Sequence, residues 1–94
     1  MSTNTRSRVA LNPHVVAQNM GEGAILMNTE TGDCFELNRV GAQIWKELEE
    51  GRSIDDIAAI VAERHAVDQS VVFGDVAKLI DRLLQHGILF STAS

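Results

Sequence analysis

The sequence predicts an α+β domain in which a three-stranded antiparallel sheet is followed by three helices, in the order β-β-β-α-α-α. Three observations predict it. Residues 14–37 hold three short segments rich in β-formers, separated by turns that contain glycine. The apolar period then changes at Leu37-Asn38. From there on, three amphipathic stretches each open on a residue suited to cap a helix, namely Asn38, Ser53 and Asp68.

The expected strands are His14 to Met20, Ala24 to Asn28 and Cys34 to Leu37. Gly21-Glu22-Gly23 joins the first two and Glu30-Thr31-Gly32-Asp33 the second and third, both with glycine available for positive φ. In the first helix Val40, Ile44 and Leu48 recur on one face, and Gly51 supplies a left-handed stop. The second helix opens at Ser53 with Asp56 three residues on, resembling a capping box, and buries Ile54, Ile57, Ala58, Val61 and Ala62. The third follows Asp68, presents Val72, Val76, Leu79, Ile80 and Leu83 along one arc, and ends at Gly87. A tight turn around Ala66-Val67-Asp68 makes the last two helices a helix-turn-helix. One face of a small sheet must be buried, and three amphipathic helices can cover it.

The chain's 94 residues allow one core. The expected organisation is an N-terminal tail at 1–12, a domain at 13–90 beginning at Pro13, and a C-terminal tail at 91–94, with Ile88-Leu89-Phe90 as a short apolar run at the domain's end. A net charge of −5, from 8 basic and 13 acidic residues, argues against gripping nucleic acid or an anionic membrane. The single cysteine, Cys34, cannot close an internal disulfide and suits a reducing compartment. The first residues lack a signal peptide's apolar run, and no stretch approaches the ~18–20 apolar residues that span a bilayer. The expected location is cytoplasmic.

Chemistry-bearing patterns are sparse. His14, His65 and His86 fall in three different elements, and no motif ties any of them to Cys34, which reads as an ordinary strand thiol beside Phe35. No Cys-x-x-Cys, His-Glu-x-x-His or calcium-loop spacing occurs, and Gly21 and Gly23 lie between strands, not at the strand-to-helix turn of a phosphate loop. Asp55-Asp56 complements a helix dipole, and Glu47, Glu49 and Glu50 read as a solvated helix end. No catalytic residue, metal or cofactor is expected.

Surfaces remain. In a meander the first and third strands are edges, and an edge exposes unpaired N–H and C=O groups to which an extended peptide can add itself as a strand. On the third helix Asp75, Arg82 and His86 line one flank beside Leu79, while Lys78, Asp81 and Gln85 lie further round.

The run Phe35-Glu36-Leu37-Asn38-Arg39-Val40-Gly41-Ala42-Gln43-Ile44-Trp45 resembles the coenzyme PQQ synthesis protein D (PqqD) family. So do Gly51-Arg52-Ser53-Ile54-Asp55-Asp56-Ile57-Ala58, Asp75-Val76 and Leu83-Leu84-Gln85-His86-Gly87-Ile88-Leu89, so that the likeness spans about residues 14–90. Its most specific piece is Leu-Asn-x-x-Gly-Ala-x-Ile-Trp. The resemblance implies a winged-helix-like recognition element of ribosomally made, post-translationally modified peptide (RiPP) pathways. Such a domain takes the precursor's leader as an added strand beside its third strand, in a groove walled by its third helix. It presents the core peptide to a separate modifying enzyme (a radical SAM enzyme, leader protease or cyclase) and does no chemistry itself. Carried onto this chain, the resemblance puts backbone docking on Asp33, Cys34, Phe35, Glu36 and Leu37. The groove wall would be Val72, Asp75, Val76, Leu79 and Arg82. It also implies that Gly41 and Ala42 are small because helix and sheet approach closely there, and that Trp45 anchors the core.

The rival expectation is a winged-helix DNA-binding transcriptional regulator, with the third helix in the major groove. The polar set of that helix holds two bases, Lys78 and Arg82, against two acids, Asp75 and Asp81, which disfavours a phosphate backbone. The exposed sheet edge also leaves self-pairing into a homo-oligomer open.

Overall fold

Alternation organises the sheet. The structure, a computed structural model, describes residues 9–91, so the outermost tail residues of the sequence reading lie outside the described region. The elements are β1 (Val9–Leu11), β2 (Val15–Met20), β3 (Gly23–Asn28), β4 (Cys34–Leu37), α1 (Arg39–Glu49), α2 (Ile54–His65), α3 (Gln69–Gln85) and β5 (Leu89–Ser91). β2, β3 and β4 form the expected antiparallel sheet in that order. On β3, Ala24, Leu26 and Asn28 are buried, whereas Ile25 and Met27 face the other side. On β4, Phe35 and Leu37 are buried and Cys34 and Glu36 exposed.

The β2–β3 turn uses two residues, Gly21 and Glu22, between the paired Met20 and Gly23. Gly21 has φ +66°, as a primed hairpin turn with glycine at its first central position requires. Gly23 is constrained differently: a Cβ there would collide with the carbonyl oxygen of Leu37.

The three expected caps are present. The Asn38 side chain accepts from the Gly41 N–H at 2.8 Å, Ser53 Oγ from the Asp56 N–H at 3.1 Å, and Asp68 Oδ1 from the Ser70 N–H at 3.0 Å. The Ser70 backbone and hydroxyl both donate to Asp68, which holds its carboxyl below the usual carboxylate range. Gly51 and Gly87 take the positive φ that stops α1 and α3. α2 ends instead on Ala66 at φ 55°, an αL position that sequence reading does not assign to alanine.

The core lies between the sheet and the helices. Leu26, Phe35 and Leu37 meet Ile44, Trp45 and Leu48 of α1, backed by Ile57, Val61, Val76, Ile80 and Leu83. Trp45 is 4% exposed, in keeping with an anchoring role. At the end of α1 the buried Glu47 accepts from Arg52 Nε at 2.6 Å and from Gln43 Nε2 at 2.7 Å. The Arg52–Glu47 bond, with the Glu47 charge, raises the pKa of Arg52.

The sequence reading needs correction at Glu47, which it placed on a solvated helix end and which is buried under Arg52 and Gln43, and at both ends of the domain. Val9–Leu11, assigned to the N-terminal tail, and Leu89–Ser91, assigned to a terminal apolar run and tail, pair as a two-stranded antiparallel sheet. Asn12 fastens this pair to the end of α3: its N–H donates to Ile88 O at 3.0 Å and its Nδ2 to Gly87 O at 2.9 Å. The order is therefore β-β-β-β-α-α-α-β. Three-residue strands are too short to show a period, and Pro13 hid their continuity with the domain.

Candidate functional site

The free edge of β4 faces an open groove. Register determines which backbone groups it offers. The Asn28 N–H donates to Asp33 O at 2.9 Å, and Leu26 pairs with Phe35 and Ala24 with Leu37. By antiparallel alternation Asp33, Phe35 and Leu37 turn their backbone toward β3, and Cys34 and Glu36 turn theirs outward. A strand laid beside β4 would bond to those two residues.

Beside this edge the groove encloses about 320 Å³, lined by Phe35, Glu36, Leu37 and Asn38, by Val40, Gly41 and Ile44 of α1, and by Asp75, Leu79 and Arg82 of α3. Gly41 sets its depth: a Cβ there would stand 3.2 Å from Leu37 Cδ2 and 3.3 Å from Leu37 Cβ, tighter than side chains ordinarily pack. α3 is fastened to the strand through Phe35. The Arg82 guanidinium carbon lies 5.1 Å from the Phe35 ring centroid, and the His86 ring meets Phe35 edge-on at 5.3 Å. The groove is apolar at its floor, with Asp75 and Arg82 as opposite charges on its α3 wall, both exposed.

The structure brings Phe35, Glu36, Leu37, Asp75, Leu79 and Arg82 together on this groove. Cys34 sits on the strand and Asp33 just before it, and neither lines the groove. Val72 and Val76, expected on the groove wall, belong to the core instead, at 5% and 0% exposure. α3 packs chiefly on α2, and Leu79, half-buried, marks where its buried arc reaches the groove. Sequence reasoning missed the contribution of α1. The sequence shows Val40 and Ile44 as one apolar face, and its signal that the face opens beside the strand is the small Gly41.

The surroundings are poor in positive charge. From residue 9 to residue 38 the chain carries Glu22, Glu30, Asp33 and Glu36 but no Lys or Arg. The polar side of α3 mixes Asp75 and Asp81 with Lys78 and Arg82, so the helix-turn-helix presents no basic surface to a duplex and the DNA-binding reading is unsupported. Among the described residues no group of three or more His, Cys, Asp or Glu is placed to hold a metal ion. No helix there is long and apolar enough to cross a membrane.

A three-stranded sheet with an open edge, packed on three helices whose last wall forms a groove, defines a small winged-helix-like α+β module. Residues 23–89 match the family model of coenzyme PQQ synthesis protein D (PqqD), and the chain belongs to that family. Its fold is similar to that of TbiB1 in complex with the TbiA(beta) leader peptide, with a TM-score of 0.81 and 27% identity over 89% of this chain and 98% of that one. It is also similar to lasso peptide synthetase B1 complexed with the leader peptide, with a TM-score of 0.80 and 24% identity over 88% and 98% of the two chains. No curated protein sequence matches the chain at a significant level.

Proposed function

We propose that this protein binds the leader segment of a ribosomally synthesised precursor peptide as an added strand on β4, and presents the core peptide to a separate modifying enzyme. The observation that carries the reading is the juxtaposition of the outward Cys34 and Glu36 backbone with a groove walled by α3 and floored by α1. An added strand places alternate side chains in such a groove: main-chain bonds supply affinity and the groove supplies selectivity. Membership of the PqqD family, and likeness to TbiB1 solved with a leader peptide, support the same reading.

The role is binding and positioning, with no catalytic step of its own. The partner enzyme is of the radical SAM, leader protease or cyclase kind. A reducing cytoplasm suits the exposed Cys34 thiol at the docking edge.

The test is amide exchange with and without a synthetic leader from a short precursor gene neighbouring this one. Binding should slow exchange at the Cys34 and Glu36 amides. Binding with protection at Ala17 and Asn19 of β2 instead would move the site to the other edge, and absence of binding would overturn the reading.

A further inference from the structure

Among the described residues the sheet has a second free edge, β2, which the leader reading does not use. We infer that it pairs with a second copy of this chain, antiparallel about a twofold axis at Gln18.

The outward backbone groups follow from register. Met20 and Gly23 close a two-residue turn and so exchange both hydrogen bonds, which by alternation turns Gln18 and Val16 toward β3 as well. The same parity continues where His14 O accepts from the Thr29 N–H at 2.8 Å. Val15, Ala17 and Asn19 therefore turn outward. The Val15 N–H is taken up locally by Asn12 O at 3.0 Å, which leaves Ala17 and Asn19 without a strand partner among the described residues.

Those two residues fix the pairing. Outward residues bond to outward residues, so Ala17 of one copy faces Asn19 of the other and Gln18 faces itself on the axis. Val16 then lies opposite Met20 of the second copy. Both are large apolar side chains left in water in the single chain, 49% and 53% exposed, on the sheet face away from the helices. The pairing gives each of them an apolar neighbour and joins two neutral amides at the axis.

Charge favours a second copy over a charged partner. Val15–Met20 holds no charged residue, no proline and no bulge, the devices that ordinarily keep an edge from pairing. β4, by contrast, carries Glu36. Beside β2 the cleft under α1 is lined by Arg39 and Lys46 together with Glu22 and Glu49, so two copies meet a balanced set of charges. Both β4 edges stay free at the far ends of the joined sheet, so the dimer is independent of leader binding and is measured without leader.

The experiment uses the full chain. Sedimentation velocity across a concentration series should show a reversible monomer–dimer equilibrium. Ala17→Pro removes an outward N–H that no described residue accepts, and should weaken association by at least about tenfold while the helical circular dichroism is retained. Because that variant can fail to fold, a second one fixes the register. In a Cys34→Ser background, Gln18→Cys should form a disulfide dimer on mild oxidation, since facing residues of this class sit about 4.5 Å apart at Cα. Glu36→Cys in the same background should not. A chain monomeric throughout the series, or a dimer that Gln18→Cys does not cross-link, would overturn the inference.

Discussion

Arg82 stands over Phe35, its guanidinium carbon 5.1 Å from the ring centroid, and thereby ties the α3 wall of the groove to β4. Such a contact is worth about 0.5–1 kcal/mol at an exposed site. Its larger effect is on geometry. A guanidinium resting on a ring is held at the groove rim, whereas an untethered arginine would sample many rotamers. His86 meets the same ring on edge, so two polar residues of one helix end converge on a buried aromatic of β4.

Trp45 tests the core. Its indole is 4% exposed and shares the β2–α1 side of the core with Ala24 and Ala42. Trp45→Ala should cost about 3–5 kcal/mol, as truncation of a buried aromatic does. In a domain this small that loss is a large fraction of the total stability. A denaturation midpoint equal to that of the natural chain would show that the core is misplaced.

Asp68 gives the fold an acid-sensitive cap. Its folded pKa is lowered by the bonds from Ser70, so its contribution is fully present above the unfolded carboxylate value and is lost as pH falls through the folded value. Asp68→Asn keeps an acceptor at the cap but has no charge to titrate. The stability gap between the two proteins should be constant near neutrality and shrink in urea melts taken between about pH 5 and pH 2. A gap independent of pH across that range would refute the assignment.

Glu36→Pro tests the edge. The Glu36 N–H points away from β3, so proline costs the sheet no ladder bond, but it removes one of the two outward donors offered to a leader. Calorimetry should show leader affinity reduced at least about tenfold, with the melting temperature little changed. Undiminished affinity in the folded variant would exclude docking on Cys34–Leu37.

How much was legible depended on the length of each signal. Asn38, Ser53 and Asp68 announce their helices because a cap is a local, single-residue device, and all three bonds are present. The meander was legible from Gly21 and Gly32, whose positive φ its turns require. Val9–Leu11 and Leu89–Ser91 were not, because strands that short stand only by finding each other across nearly the whole chain. Ala66 was missed because alanine disfavours the left-handed region, and the cap is local: the N–H groups of Ala66 and Val67 both donate to Ala62 O. Of the residues read as the candidate site, Phe35, Glu36, Leu37, Asp75, Leu79 and Arg82 lie on the groove, whereas Val72 and Val76, read as its wall, lie in the core. A helical arc read from sequence has no sharp boundary between core and groove. Only packing shows that Leu79 is the residue on that boundary, and that Val40 and Ile44 face it from α1.

The charge pair on the groove wall tests recognition as distinct from stickiness. Arg82 and Asp75 both line the groove, two helical turns apart on α3, so a leader lying along it meets opposite charges at its two ends. Removing either charge alone should be nearly silent, since an exposed ion pair is worth about 0–1 kcal/mol. Reversal should be louder at Arg82, because Arg82→Glu loses the stacking on Phe35 as well as the attraction, and sets a carboxylate beside the leader's acid. Leader affinity should fall in low salt, and a leader carrying the compensating acid-to-Lys change should recover part of it. Asp75→Lys should show the opposite preference, being rescued by a base-to-Glu change nearer the other end. The Phe35 contact separates two causes of loss at Arg82. Arg82→Lys keeps the charge but weakens the stacking, so a loss as large as that of Arg82→Glu would assign the effect to groove geometry. A panel in which neither position alters affinity beyond error would remove this wall as a specificity surface and leave the β4 backbone as the whole of the recognition.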